Sequence, residues 1–179
     1  MTDEQQLILM LSDPSTQRKG FELLVRQYSE KLYWMIRRII VNHDDANDVL
    51  QNTFMKAWNA MGEFQGESQL ATWLSRIAIN ASLDFLRSNN HTYMSTDEKP
   101  SIASTLMADP YFAGSDIEAL FQEAIAALPD VQRTVFNLRY YEDVKYSDMS
   151  KMLGTSEGSL KASYHIAVKK ISEYLKAHN

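Results

Sequence analysis

This 179-residue sequence predicts an all-α architecture of two small helical domains joined by a flexible linker, the second a helix-turn-helix. Three observations point there. Apolar residues recur at three- and four-residue spacing over long stretches, and no alternating run is strong enough for a strand. The periodicity vanishes between Ser88 and Ser115, a segment rich in Ser, Thr, Asn and Asp that carries Pro100, Pro110 and Gly114. The final part breaks into short helices separated by tight turns. The expected boundaries are 1–87 for the first domain, 88–115 for the linker and 116–179 for the second domain.

Phe21, Leu24, Val25, Tyr28, Leu32, Met35, Ile36 and Ile39 predict a long amphipathic helix from about Thr16 to Val41. Asn42-His43-Asp44-Asp45 ends it and caps the next, whose apolar stripe is Ala46, Val49, Leu50, Thr53, Phe54, Ala57, Trp58 and Met61. Trp58 is therefore expected in the core. Gly62 and Gly66 mark a break, and after the loop Phe64-Gln65-Gly66-Glu67-Ser68 a third helix follows, with Ser68 as its expected N-cap. Leu70, Leu74, Ile77, Ala78, Ala81 and Phe85 form its apolar side; Thr72, Arg76, Asn80, Asp84 and Arg87 form its polar side.

Past the linker, a helix is expected around Asp116 to Ala127, then Pro129 in a helical first turn, with Val131, Val135, Phe136 and Leu138 as apolar positions. Tyr146 to Leu153 makes a short helix and Gly154-Thr155-Ser156 the turn. The last helix buries Leu160, Tyr164, Ala167, Val168, Ile171 and Leu175. Opposite that stripe, Lys161, His165, Lys169, Ser172 and Lys176 present donors on one solvent-facing strip, as the second helix of a helix-turn-helix requires in a major groove.

Composition narrows the function. The chain is 45% hydrophobic, enough for a real core, and has no Cys, which excludes disulfides and thiolate metal sites. Met1-Thr2-Asp3-Glu4 lacks the layout of a signal peptide, and no apolar run reaches the roughly 18 residues of a membrane helix. A cytoplasmic protein without membrane insertion is expected. The net charge of -5 is segregated: residues 1–87 carry 9 basic and 11 acidic groups, 88–128 carry 1 and 6, and 129–179 carry 8 and 6. Contacts with a polyanion are thus expected on the flanking domains, away from the acidic middle.

Asp44, Asp45, Asn47 and Asp48 run straight into a helix and lack the central Gly and distal Glu of a calcium loop, so no metal or cofactor is expected. A helix dipole accounts for Asp44 and Asp45 but not for the polar strip that continues through Asp48, Gln51 and Asn52, which suits a protein partner. Trp73 sits beside the loop at the edge of its helix's apolar stripe. Its position serves a core role and a base-stacking role equally well, and the small residues of the loop can approach a base taken out of the duplex.

The run Asp45-Ala46-Asn47-Asp48-Val49-Leu50-Gln51-Asn52-Thr53-Phe54-Met55-Lys56-Ala57-Trp58, then Phe64-Gln65-Gly66, Thr72-Trp73-Leu74-Ser75-Arg76-Ile77-Ala78-Ile79-Asn80 and Asp84-Phe85-Leu86-Arg87, resembles region 2 of bacterial extracytoplasmic-function sigma factors. Leu128-Pro129 through Leu175 resembles their region 4. The resemblance spans nearly the whole chain in family order. It implies a dissociable initiation subunit of bacterial RNA polymerase, not an enzyme, with promoter DNA and core polymerase as partners; an anti-sigma factor is a further partner that it allows. By position, Asp45, Asp48, Gln51 and Asn52 would face the beta-prime clamp. Gln65, Gly66, Glu67, Ser68 and Gln69 would form the loop that captures a flipped base of the minus-ten element, supported by Trp73, Arg76, Asn80, Asp84 and Arg87. Arg139, Lys161, Ala162, His165 and Lys169 would meet the minus-thirty-five duplex, and the beta flap would hold region 4 by its other face.

Two departures qualify that pattern. Ala162, Ser163, Ile166 and Val168 stand where the family commonly has basic residues, removing bidentate guanine readout. Lys145 replaces a capping Ser, leaving Ser147 as the candidate cap. A stand-alone helix-turn-helix regulator is the alternative, but the near-neutral C-terminal domain disfavours tight unaided DNA binding. An enzymatic role finds no phosphate-binding Gly motif and only scattered His43, His91, His165 and His178.

Overall fold

Thr2 opens the first helix of the computed structural model, which describes residues 1–89, 106–109 and 112–178. The Thr2 hydroxyl accepts from the Gln5 amide at 3.2 Å, and the Gln5 side chain accepts from the Thr2 amide at 2.9 Å. This reciprocal cap starts α1 (Asp3–Ser12), whose Leu7 and Leu11 are buried one turn apart. The helical periodicity noted above begins only at Phe21, so α1 is an element beyond the expected set. Its capping signature, Thr-x-x-Gln, stands in the sequence ahead of Leu7 and Leu11.

α2 (Gln17–Ile40) is the central helix of the first unit, Met1–Asn90, packing against α1, α3 (His43–Ala60) and α4 (Leu70–Ser88). Leu24, Leu32, Tyr33, Ile36, Ile39 and Ile40 are almost wholly inaccessible. At Gly20 the helices come so close that a Cβ would lie 3.0 Å from the Met10 Cβ. Val41, with φ 63° and ψ −44°, takes a positive φ that a β-branched residue rarely adopts, and turns the chain sharply into α3. Asn42 then caps α3 by accepting from the Asp45 amide at 3.1 Å. A single 3₁₀ turn, Met61–Glu63, follows α3.

The second unit, His91–Asn179, contains α5 (Asp116–Ala126), α6 (Asp130–Tyr140), α7 (Tyr146–Leu153) and α8 (Glu157–Ala177). Its core joins Ala124, Ile125 and Leu128 to Phe136, Ala167 and Ile171. Phe136 stacks nearly parallel to both Tyr140 and Tyr164, at 5.1 and 5.7 Å between centroids. Arg133, buried, donates to the Leu128 carbonyl at 2.9 Å and to Asp130 at 2.6 Å, so it ties the end of α5 to the start of α6. Gly154, with φ 64°, ends α7 in the left-handed conformation, and Ser156 caps α8 through the Ser159 amide. α7, this turn and α8 form the helix-turn-helix.

All regular elements among the described residues are helical, and no helix among them is long and apolar enough to cross a membrane. Several local expectations need correction. Ser68 does not cap α4; Gln69 occupies the cap position without a side-chain bond, and the Leu70 amide instead donates to Glu4 Oε1 at 2.8 Å. Pro129 sits at the cap of α6, with extended ψ, because its ring fixes φ while its carbonyl takes the first helical bond. Neither Lys145 nor Ser147 caps α7: Lys145 holds the position with no side-chain bond, and Ser147 is already inside the helix.

Trp58 is 42% exposed. The seam of α3 runs through Ala46, Val49, Thr53, Phe54, Ala57 and Met61, leaving Trp58 at its margin with its ring edge-on to Phe21 at 5.0 Å. Val131 and Val168 are exposed too: Val131 lies in the first turn of α6, ahead of its buried residues, and Val168 is turned about 100° from the buried Ala167. The expected linker falls largely on residues 90–105, 110 and 111, outside the described set; of its described residues, Leu106 and Asp109 are buried.

Candidate functional site

Helix α3 presents Asp48, Gln51 and Asn52 to solvent, with Asp45 half-buried at its first turn. The start of the helix is fixed by His43, whose Nδ1 is paired with the Tyr33 hydroxyl at 2.6 Å and whose Nε2 is paired with Asn47 at 3.1 Å. The Nδ1 contact anchors α3 to α2 and the Nε2 contact braces the first turn of α3, a structural role for a histidine to which sequence spacing assigns none. Downstream, Asp48, Val49 and Asn52 form one wall of a groove of about 350 Å³ whose other wall is Ala81, Asp84, Phe85 and Ser88 of α4. Lys56 reaches Asp84 at 3.5 Å, and Arg87 reaches the other oxygen of the same carboxylate at 3.4 Å. These ion pairs are exposed, so they add little stability; their effect is to set the charge pattern where the two helices meet.

The polar residues of α4 lie along one face. Arg76, Asn80, Asp84 and Arg87 are exposed, and Trp73 is half-buried. From Trp73 to Arg87 this strip is about 21 Å long at the rise of an α-helix. Its ends differ: Asp84 and Arg87 adjoin the α3 strip, whereas Trp73 adjoins the loop. Gln65, Gly66, Glu67 and Gln69 are exposed and Ser68 half-buried, and Gly66 has φ 72°, which a side chain would strain. Phe64 lies against Trp73 at 5.2 Å, with the rings inclined by 54°. The indole is thereby supported from within the domain while part of its surface stays open, the arrangement a stacking platform needs.

In the second unit, one residue from each of three helices meets. Arg139 of α6 lies 5.3 Å over the ring of Tyr146 at the start of α7, and Lys161 of α8 lies 5.7 Å over the same ring. Arg139 also donates to Asp143 at 3.0 Å. Sequence spacing marks Tyr146 only as the first residue of a helix; the aromatic that follows Lys145 where the helix has no side-chain cap is the signal that singles it out. Burial pushes the Tyr164 hydroxyl above the ordinary tyrosine range, with neighbouring Tyr146 and Tyr140 adding to the rise and Arg139 opposing it. Along α8, Lys161, Ala162, His165 and Lys169 are all exposed, and so is Ile166. This face offers point charges and an imidazole but no guanidinium.

The family Sigma-70 region 2 matches residues 24–92, and Sigma-70, region 4 matches residues 118–171. The RNA polymerase sigma-H factor of Pseudomonas aeruginosa is 29% identical over 178 residues, covering 90% of this chain and 89% of that protein. The ECF RNA polymerase sigma-E factor of Haemophilus influenzae is 29% identical over 155 residues, covering 81% and 82%. Among solved structures, CnrH in complex with the cytosolic domain of CnrY shares the fold with a TM-score of 0.63 at 22% identity, covering 98% of this chain and 99% of that one. RpoE in complex with the anti-sigma factor NepR, from Bartonella quintana, gives 0.64 at 23%, covering 90% and 99%.

Proposed function

Because the chain belongs to the sigma-70 family, as an RNA polymerase sigma factor of the extracytoplasmic-function group, we propose a division of labour among its surfaces. The α3 strip, Asp45, Asp48, Gln51 and Asn52, binds the beta-prime clamp of core polymerase. The loop Gln65 to Gln69, with Trp73, Arg76, Asn80, Asp84 and Arg87, opens the minus-ten element and holds a flipped base. Arg139, Lys161, Ala162, His165 and Lys169 meet the minus-thirty-five duplex, and the opposite face of that unit engages the beta flap.

The observation that carries this reading is the continuity of the first unit's surface. An acidic and amide-rich strip on α3 passes, through the Asp84 junction, into a polar strip on α4 that ends at a supported, half-open indole beside a glycine loop. Such a surface binds a protein at one end and unpaired bases at the other. The work is done by binding energy alone, in the cytoplasm where polymerase acts, and the chain supplies no covalent chemistry. The stand-alone regulator reading is not favoured, since both family regions occur in order. The structure of RpoE in complex with the anti-sigma factor NepR supports an anti-sigma factor as a regulator of this chain too.

Charge reversal tests the assignment of α3. Asp48→Lys is exposed and leaves the core untouched, so the fold is expected to persist while affinity for core polymerase falls about tenfold or more, a loss of roughly 1.4 kcal/mol or greater. Unchanged affinity in a titration with labelled core enzyme would remove the α3 strip from the polymerase interface.

A further inference from the structure

One polar contact ties the start of the chain to the start of α4. Glu4, in the first turn of α1, accepts a 2.8 Å hydrogen bond from the Leu70 amide, 66 residues away. α4 has no side-chain cap of its own, because Gln69 occupies the cap position without a bond and Ser68 lies one residue too early. Its first buried residue, Leu70, is wholly inaccessible, so its amide has Glu4 as the acceptor that satisfies it. Glu4 is held in place by two further features: the reciprocal Thr2 and Gln5 cap, and the close approach of α1 to Gly20. A carboxylate is also the favoured group at the positive end of a helix.

We propose that Glu4 is a positioning residue for promoter opening: by clamping the Leu70 amide it fixes the C-terminal end of the Gln65–Gln69 loop and the first turn of α4, and so the attitude of Trp73. The proposal rests on the reading of that loop and Trp73 as the base-capturing surface. Gly66 gives the loop freedom at one end, at φ 72°, and Glu4 removes it at the other. Trp73 is the fourth residue of α4, and its amide makes the helix's first backbone bond, to the Gln69 carbonyl at 3.1 Å. Fraying of the uncapped turn would therefore release the indole directly. α1 thus acts on DNA melting without touching DNA.

The test uses the full chain with core polymerase on a promoter duplex carrying 2-aminopurine in the minus-ten element. Glu4→Ala is compared with Glu4→Gln, which keeps an acceptor oxygen, and with Asp3→Ala, which removes a neighbouring carboxylate that does not cap α4. Glu4→Ala is expected to slow opening about fivefold, the population change of a typical lost helix cap, with polymerase affinity unchanged and the Leu70 amide exchanging faster. Glu4→Gln and Asp3→Ala should stay near wild type. Opening at the wild-type rate in Glu4→Ala would overturn the proposal, as would a Glu4→Gln variant as slow as Glu4→Ala, or a parallel loss of polymerase affinity. Failure of the wild-type complex to open the duplex would instead sink the base-capture reading, and this proposal with it.

Discussion

At the scale of single residues, Trp73 carries the most informative substitution. Its ring is supported by Phe64 and only half-buried, so truncation removes both a packing contact and the proposed stacking surface. Trp73→Ala is expected to lower open-complex formation by about tenfold to a hundredfold, in line with roughly 1–3 kcal/mol per stacked base, while Trp73→Phe keeps a substantial part of it. Permanganate footprinting of the minus-ten thymines reads the effect, and thermal unfolding separates it from loss of fold. A variant that unfolds without a specific opening defect would return Trp73 to the core. The tyrosines give a second residue-scale expectation. Burial raises the Tyr28, Tyr164 and Tyr174 hydroxyls above their ordinary value of 10.0, and the Glu4 charge, the other phenols and Glu123 respectively add to that. A raised folded value means that the stability these groups contribute is complete below about pH 10 and is lost as pH rises through the raised value. Denaturant midpoints should hold from pH 7 to 9 and fall above 10, and Tyr28→Phe should lessen the fall in the first unit.

At the scale of elements, the junction of α6, α7 and α8 depends on Tyr146. Two cations share one ring there, and each cation–π contact is worth about 0.5–1 kcal/mol at an exposed site. Tyr146→Ala should therefore weaken binding to a minus-thirty-five duplex several-fold, whereas Tyr146→Phe, which retains the ring, should bind nearly as the wild type. Fluorescence anisotropy at two salt concentrations checks this; equal losses in both variants would assign the effect to the hydroxyl. The turn before α8 is equally exacting: Gly154→Val places a β-branched side chain at φ 64° and should cost the second unit more than about 1 kcal/mol in urea unfolding. The helices themselves were largely legible from sequence, because α2, α3 and α8 obey a helical period over five turns or more. The misjudged ends share a cause. Ser68 looked like the cap of α4, but the acceptor came from Glu4 in a helix far away in sequence, and no local pattern encodes such a partner. α1, by contrast, is written in Thr2, Gln5, Leu7 and Leu11, a signal too short to establish a helical period.

At the scale of the whole molecule, order along the chain carried the functional reading further than any single motif. Region 2 and region 4 occur in sequence, over residues 24–92 and 118–171, and the residues that the resemblance assigned are exposed except for the half-buried Asp45, Ser68, Trp73 and Arg139. What the sequence could not convey is adjacency between helices. Nothing in their spacing shows that Asp84 of α4 stands beside Lys56 of α3, or that Arg139 and Lys161 share Tyr146, since side-chain meeting between helices is set by packing and not by period. The division of charge fits the proposed scheme, in which an acidic α3 strip would recruit polymerase and the arginine-poor face of α8 would leave promoter choice to depend heavily on the first unit. Promoter-directed transcription by the purified protein added to bacterial core polymerase, across a library of minus-ten and minus-thirty-five sequences, is the most direct measurement. The expected result is initiation from a defined promoter class, more sensitive to changes in the minus-ten element than in the minus-thirty-five element. A complex with core enzyme that yields no promoter-dependent transcript would contradict it.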